Sequence, residues 1–434
     1  MSWNSCSRRR EMVVMLVIQS PPRFLSVFTG AGGLDLGLEC AGFQSVGCIE
    51  RDRHALASLR HNRPKWTIIQ PGDIEAASGV LNPASLGLRR RQLDLLVGGP
   101  PCQPFSKAAQ WSQNGRRGVK DSRSTCLTGF LQLISTFLPK MILIENVQGF
   151  ISGKNNSLGR ISHALAVINR NTGTNYQLHH FVVDAADYGV PQRRKRALLF
   201  AERRGTELRL PPLTHGDRPM TAWDAIGHLN SNGTASTELT HWLKLLPSIP
   251  EGHNYQWHTR RGGGKPLFGY RTKFWSFLLK LGKSQPAWTL PAQPGPYVGP
   301  FHWDNRRLTI QEMLCLQSFP RSWKLCGPDR EQIRQVGNAT PPLLAEVIGR
   351  TIVKDVLGLL VPEKPILEIP KSNLPIPPIA QLAVVDKDFR EFERLWPDHP
   401  GPGLGPRPIR PLGELNEKQG SNQTARNKAA DGNC

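Results

Sequence analysis

The sequence has no apolar run long enough for a membrane helix and no cysteine spacing typical of a metal site. A membrane span needs roughly 20 apolar residues, and the apolar runs of this chain are much shorter. The eight cysteines form no C-x-x-C pair, so we expect reduced thiols, most of them buried as small apolar side chains. These absences argue against a membrane anchor and against a bound metal.

Acidic residues are also scarce. The formal charge of +21 and the pI of about 10.1 indicate a polyanionic partner. Between Gly252 and Trp303 there is no Asp or Glu, although seven Lys and Arg residues occur there. Aromatic residues are interleaved with these bases, as in "WHTRRGGGKPLFGYRTKFW", which predicts a loop-rich basic surface. Charge alone does not distinguish DNA, RNA and an acidic membrane as the partner.

Short apolar runs alternate with helix-like segments from residue 23 to about residue 202. This pattern predicts an α/β fold with a doubly wound, mostly parallel, Rossmann-like sheet, whose ligands bind beyond the carboxyl ends of the strands. A smaller loop-rich domain should follow, and then "QVGNATPP" as a turn before a long helix. We expect five parts: an N-terminal extension (1–22), the sheet domain (23–203), the smaller domain (204–332), the C-terminal helix (333–358) and a Pro-rich, poorly ordered tail (359–434).

Three consecutive predicted strands, the third being "WTII", end in residues suited to a nucleoside-type cofactor. In "VFTGAGGLDLG", Gly30 and Gly32 would allow a ligand to approach the backbone closely. Glu50 and Asp73 follow the next two predicted strands and could accept hydrogen bonds from hydroxyls. Asp35 occupies the sixth position of G-x-G-x-x-G, which weakens a pyrophosphate interpretation, so S-adenosylmethionine fits better than NAD. A purely structural glycine turn is the alternative.

A cysteine follows the next apolar run, in "DLLVGGPPCQPFSKA". Pro100 and Pro101 restrict the backbone, so Cys102 would be presented rigidly, and a thiolate is a strong nucleophile. Glu145 closes the following strand, "MILIEN", at the same predicted edge of the sheet. Together they suggest attack on C6 of a pyrimidine whose N3 is engaged by a carboxyl group. C5 would then accept a methyl group from a sulfonium donor.

Two arginines precede the last predicted strand, in "DYGVPQRRKRALLF". Alternation along a strand predicts that Arg194 and Arg196 share one face. Their guanidinium groups could hold a phosphate or O2 of the base. An ordinary basic loop is the alternative.

These motifs together resemble those of the DNA (cytosine-5) methyltransferases, especially the compact enzymes of restriction–modification systems. The matching stretches are "FTGAGGLDLG", "GGPPCQPFS", "ENVQGF", "YGVPQRRKR", "LTIQEMLCLQSFP" and "VGNA", in the family's order. The resemblance runs from about residue 23 to residue 358. It implies that the final helix packs back on the first domain and that the second domain recognises the DNA target.

The resemblance also implies residue roles. The implied catalytic residues are Cys102, Glu145, Arg194 and Arg196. Those implied to bind S-adenosylmethionine are Phe28, Gly30, Gly32, Glu50, Asp73, Ile74, Pro101 and Asn338. The residues expected at DNA are Gln103, Ser106, Arg260, Arg261, Lys265, Arg271, Lys273 and Thr289.

The expected partner is double-stranded DNA, and a restriction endonuclease acting on the same site could accompany the enzyme without a stable complex. We expect a cytoplasmic, DNA-associated monomer. A transfer RNA cytosine-5 methyltransferase is one alternative, although the Cys-Phe-Thr signature of that branch is absent. A catalytically silent DNA-binding relative and an NAD enzyme are the others.

Overall fold

A six-stranded sheet forms the centre of the first domain. The computed structural model describes residues 20–101, 123–152, 156–229, 241–271 and 274–392. The strands are β1 (Arg23–Val27), β2 (Gln44–Ile49), β3 (Leu95–Gly98), β4 (Met141–Asn146), β5 (His179–Asp184) and β6 (Lys195–Glu202). Their order is β2-β1-β3-β4-β6-β5, and only β6 runs antiparallel to its neighbours. The predicted mostly parallel α/β fold is confirmed.

The central strands are apolar on both sides because helices cover both faces. Every residue of β3 and β4 is buried, as expected for parallel strands inside an α/β layer structure. The predicted strand "WTII" is wrong, because this stretch forms only an isolated bridge between Cys48 and Ile68. β2 is therefore the edge strand of the sheet, and no further strand pairs with it.

Helices pack on the two faces of the sheet. In the first domain they are α1 (Gly33–Cys40), α2 (Arg53–Asn62), α3 (Ile74–Val80), α4 (Arg123–Phe137) and α5 (Leu158–Thr172). Further along the chain they are α6 (Ala222–Ile226), α7 (Ile310–Leu316), α8 (Asp329–Asn338) and α9 (Pro342–Thr351). Among the described residues, no helix is both long and apolar enough to cross a membrane.

Helix α9 packs directly on α1, as the resemblance implied. A Cβ at Gly37 would lie 2.3 Å from the carbonyl oxygen of Pro342, and one at Gly349 would lie 2.8 Å from Cβ of Ala41. Glycine is therefore required for this close approach, since real Cβ contacts are longer. The sequence "VGNA" was expected to form a turn between helices. Its first three residues instead belong to the end of α8, because that helix continues to Asn338.

The second region, residues 204–309, has little regular structure in its described part. Outside α6 it is built of 3₁₀ turns and isolated bridges such as Phe277 with Val298. Aromatic rings fill its interior: Trp242 lies 5.5 Å from Phe268, and Tyr255 lies 5.7 Å from Phe277, between ring centroids. Side-chain packing replaces strand ladders as the main cohesion of this region.

Residues 359–392, which we call the strap, run from α9 to the second region. The carboxylate of Glu346 on α9 accepts hydrogen bonds from the backbone N–H groups of Ile366 and Leu367. Further along, Trp223 donates from Nε1 to the carbonyl oxygen of Leu374 at 3.0 Å. Phe389 then enters the aromatic cluster and is 1% exposed. The Pro-rich composition predicted a poorly ordered tail, and it gave no indication of these contacts.

Candidate active site at the carboxyl edge of the sheet

The loop after β1 forms a glycine turn that is fixed to the end of β2. Phe28, Gly30 and Gly32 all have positive φ angles, of 61°, 56° and 80°. The N–H of Gly30 donates to Oε2 of Glu50 at 2.7 Å. Oε1 of Glu50 accepts from the N–H groups of Arg51 and Asp52. The predicted Gly30, Gly32 and Glu50 therefore form one structural unit.

The residues after β2 complete this corner of the sheet. The carboxylate of Asp73 caps α3 by accepting from the N–H of Glu75 at 2.9 Å, and it lies 3.3 Å from Nη1 of Arg51. Ile74, which was also expected to bind the cofactor, has its side chain in the core. It is 3% exposed and packs in the core, where a Cβ at Gly129 would approach its Cγ1 to 2.9 Å.

Glu145 at the end of β4 is held by an arginine from the neighbouring strand. Nε of Arg196 lies 2.8 Å from Oε1 of Glu145, and both side chains are nearly buried. This approach is possible because β6 runs antiparallel to β4 and places Leu198 opposite Glu145. The other oxygen, Oε2, faces Gly99, where a Cβ would approach it to 3.2 Å. The ion pair fixes the orientation of this carboxyl group.

The loop predicted to carry the nucleophile starts beside Glu145. Strands β3 and β4 are neighbours, with Gly98 opposite Ile144. The amide Nδ2 of Asn146 donates to the carbonyl oxygen of Pro100 at 2.8 Å and ties the two strand ends together. Pro101 is exposed, whereas Cys102, Gln103 and Ser106 lie outside the described residues. Asn146 was assigned no role from the sequence, although its position next to Glu145 in "ENV" was a signal.

Arg194 lies in the interior and contacts protein acceptors. It is 1% exposed, and its Nη2 donates to the carbonyl oxygens of Gly337 at 2.7 Å and Ala339 at 2.9 Å. Arg194 was expected beside Arg196 at the base or a phosphate; in this structure its Nη2 is directed at these two carbonyl groups. Arg194 lies just before β6, which begins at Lys195, so alternation along the strand does not fix the direction of its side chain.

Asn338 is exposed at the end of α8, between the two carbonyl groups that Arg194 contacts. Gly337 allows a close approach at this point, since a Cβ there would lie 2.4 Å from Cα of Ala292. The last turn of α8 thus touches the segment that follows Leu290. The sequence could not reveal this contact, because the two segments lie far apart in the chain.

A glycine loop wraps around one indole in the second region. Cβ atoms at Gly263 and Gly264 would lie 2.5 Å from the ring of Trp257, so the backbone itself packs on the ring. Exposed Arg260, Arg261 and Lys265 project from this loop. Such exposed bases, spaced along one loop, suit contacts with phosphates.

The residues expected at DNA differ in what their side chains contact. The guanidinium carbon of Arg261 lies 3.8 Å from the ring centroid of Tyr270, and Arg271 is half-buried. Thr289 is exposed, and its hydroxyl donates to the carbonyl oxygen of Arg193 at 2.7 Å. Lys273 lies outside the described residues.

A buried acid lies beneath the glycine turn. Asp35 on α1 is 0% exposed, and the thiol of Cys48 donates to its Oδ1 at 3.6 Å. Burial raises the pKa of Asp35 to about 7, although hydrogen bonds from Ser26 and Cys48 oppose the shift. Within the part of the chain that the structure describes, no cluster of three potential metal ligands occurs.

Comparisons with known proteins are consistent with this geometry. A family model described as C-5 cytosine-specific DNA methylase matches residues 22–354. The type II methyltransferase M.SacI of Streptomyces achromogenes is 32% identical over 372 residues, which are 77% of this chain and 93% of that protein. The type II methyltransferase M.Sau96I of Staphylococcus aureus is 32% identical over 345 residues, which are 75% of this chain and 74% of that protein.

A solved structure has the same fold. The Entamoeba histolytica methyltransferase EhMeth aligns with a TM-score of 0.51 and 16% identity, covering 78% of this chain and 99% of that one.

Proposed function

This chain belongs to the C-5 cytosine-specific DNA methylase family and is a DNA cytosine-5 methyltransferase; from that premise we propose a covalent mechanism on an extruded cytosine. The thiolate of Cys102 bonds to C6 of the cytosine, and the electron pair moves towards N3, where Glu145 engages the ring. C5 then takes the methyl group from a sulfonium donor, whose sulfur leaves as a neutral thioether. A base removes the C5 proton, and the C5=C6 double bond re-forms as the thiolate is expelled.

The single observation that carries this proposal is the arrangement around Glu145. Its carboxyl group is nearly buried, is oriented by Arg196 at 2.8 Å, and faces Gly99 at the start of the loop that contains Cys102. A fixed carboxyl group can bond to N3 and the exocyclic amine of cytosine but has no such partner inside a stacked duplex. Extruding the base costs a few kcal/mol, which contacts of the basic second region with phosphates could offset.

The methyl donor is proposed to be S-adenosylmethionine, whose sulfonium supplies an electrophilic methyl group. At Gly30 an added Cβ would meet only Phe28 O, at 3.9 Å, so the backbone there is open to a ligand, whereas Gly32 is buried. Glu50 after β2 and Asp73 before α3 offer carboxylate oxygens. These groups fit a nucleoside with hydroxyls to hydrogen-bond. Pro101 and Asn338 are exposed near the same edge and would complete the pocket, together with Phe28.

The biological role is proposed to be protection of DNA in a restriction–modification system. Both relatives described above are type II methyltransferases and match most of this chain. The enzyme would act as a monomer on double-stranded DNA in the cytoplasm. A restriction endonuclease that cuts the same site would be its functional counterpart without forming a stable complex.

The test is to incubate the purified protein with labelled S-adenosylmethionine and, in separate reactions, unmethylated genomic DNA or transfer RNA, and then to map 5-methylcytosine in the DNA by bisulfite sequencing. Label confined to a short recurrent motif is the expected result. Label in transfer RNA and none in DNA would overturn the assignment of the substrate. Label in neither would favour a silent DNA-binding protein.

A further inference from the structure

One buried guanidinium joins three segments that lie far apart in the chain. Nη2 of Arg194 donates to Gly337 O and Ala339 O, at 2.7 and 2.9 Å, on either side of Asn338. Nη1 of the same arginine lies 3.4 Å from Leu290 O, in the second region. The arginine itself follows β5 and precedes β6 in the sheet domain.

The surroundings make this junction tight. The side chain of Gln192 is fully buried; its Oε1 accepts from Leu290 N, and its Nε2 donates to Leu316 O at 3.5 Å. Gln317 donates to Val336 O at 2.7 Å, near the end of α8. The last carbonyls of a helix have no partners within it, so these side chains satisfy the end of α8 from outside.

The segment from Ala287 to Ala292 lies between residues 191–193 and the end of α8. On one side Arg193 N donates to Ala287 O at 2.8 Å, and Ala287 N donates to Pro191 O at 2.9 Å. On the other side, backbone atoms of Ala292 leave no space for a Cβ at Gly337. A displacement of this segment must therefore displace the end of α8.

The two ends of the junction bear residues of different function. Thr289, next to Leu290, is exposed on the side proposed for DNA, and Asn338 is exposed on the side proposed for the methyl donor. We propose that Arg194 is a positioning residue that couples the two binding sites, so that DNA bound to the second region orders Asn338 for the methyl donor. This inference rests on the proposed function, because it takes those two ligands from it.

The matched variants are Arg194→Met and Arg193→Met. Each removes one positive charge, but Arg193 is exposed and contributes only its backbone to the junction. Arg194→Lys is the conservative variant, since an ammonium keeps the charge but cannot reach both carbonyl groups in one plane. The measurement is equilibrium binding of S-adenosylmethionine to the full chain. It is made with and without an unmethylated duplex that contains the motif identified by bisulfite sequencing.

In the wild type and in Arg193→Met, DNA should tighten S-adenosylmethionine binding by about fivefold or more, the lower end of typical coupling between sites. In Arg194→Met this gain should disappear, while binding without DNA changes less than twofold. Arg194→Lys should recover part of the gain. Because coupling between two ligands is reciprocal, S-adenosylmethionine should tighten DNA binding by the same factor in the wild type and should not tighten it in Arg194→Met.

Three results would overturn the proposal. The first is an unchanged gain in Arg194→Met, and the second is the absence of any gain in an active wild type. The third is failure of both Arg194 variants to fold, judged by thermal melting, because the arginine would then be required for stability alone. A wild type that methylates no DNA would instead contradict the proposed function, so the two failures are distinguishable.

Discussion

In the sheet domain, neighbouring strands share backbone hydrogen-bond ladders, whereas the described part of residues 204–309 has isolated bridges, aromatic packing and buried ion pairs. Glu145 is held by a ladder between β4 and β6 and by one arginine. In the second region, Lys283 pairs with Glu251, and Arg306 is bidentate to Glu312 of the adjoining helix α7 at 2.6 and 2.9 Å. In the sheet domain, the pairing of strands fixes the positions of the reacting groups. In the second region, contacts between individual side chains determine the shape of the surface.

This difference predicts that the two regions fail in different ways. A change at the sheet edge should affect the chemical step and leave DNA binding intact. A change in the second region should affect DNA binding and leave the methyl donor site intact. Glu145→Gln and Trp257→Ala test this separation, and Asp35→Asn tests the buried acid of the sheet domain; the three follow in order of decreasing expected effect.

Glu145→Gln should lower kcat by about 10²- to 10⁴-fold, the usual contribution of a general acid or base. The amide keeps the shape of the side chain but cannot supply a proton to N3 as a carboxyl group can. Methyl transfer in single-turnover assays measures the effect, with Glu207→Gln, an exposed acid, as the control. A rate within threefold of the wild type would remove Glu145 from the mechanism.

Asp35→Asn should change how the stability of the sheet domain depends on pH. Because burial raises the pKa of Asp35 to about 7, the native protein binds more protons than the unfolded chain between about pH 4 and pH 7. The wild type should therefore lose stability as pH rises through this window, by about 2 kcal/mol or more relative to the variant.

Denaturant unfolding at pH 5, 6 and 7 measures this difference. Parallel stability curves for the two proteins would show that Asp35 titrates at its ordinary pKa in the folded protein.

Trp257→Ala should weaken DNA binding about tenfold, which corresponds to a loss of about 1.4 kcal/mol of binding free energy. The glycine loop bearing Arg260 and Arg261 packs directly on this indole, so its removal leaves the loop without a fixed shape. Binding of S-adenosylmethionine should not change. Trp223→Ala is the matched control, because Trp223 contacts the strap and not this loop.

Fluorescence anisotropy with a labelled duplex gives the DNA affinities. Equal losses in the two tryptophan variants would indicate general destabilisation of the second region. That result would contradict the role assigned to the loop.

The sequence predicted those parts of the fold that repeat along the chain. Buried parallel strands appear as apolar runs, so β3 and β4 were found from "LDLLVGG" and "MILIEN". The carboxyl ends of β2 and β4 likewise bring Glu50 and Glu145 to one edge of the sheet. The failure at "WTII" has a simple cause, because four apolar or β-branched residues do not reveal whether a neighbouring strand is available.

Contacts between distant segments had no such signal. Nothing in "QRRKR" distinguishes Arg194, which is buried among carbonyl groups, from Arg196, which pairs with Glu145. The strap was equally hidden, since its exposed prolines are typical of a poorly ordered segment, yet Phe389 lies in an aromatic core. These positions follow from the fold as a whole, and side-chain packing without periodicity leaves no local pattern to detect.

The most direct test of the covalent mechanism uses a duplex in which the target cytosine is replaced by 5-fluorocytosine. Fluorine at C5 cannot leave as a proton does, so a protein bonded to C6 should remain attached after methyl transfer. The wild type should give a complex that survives denaturing electrophoresis and requires S-adenosylmethionine, and Cys102→Ser should give none while still binding the methyl donor. Methylation of ordinary DNA by Cys102→Ser would contradict the mechanism.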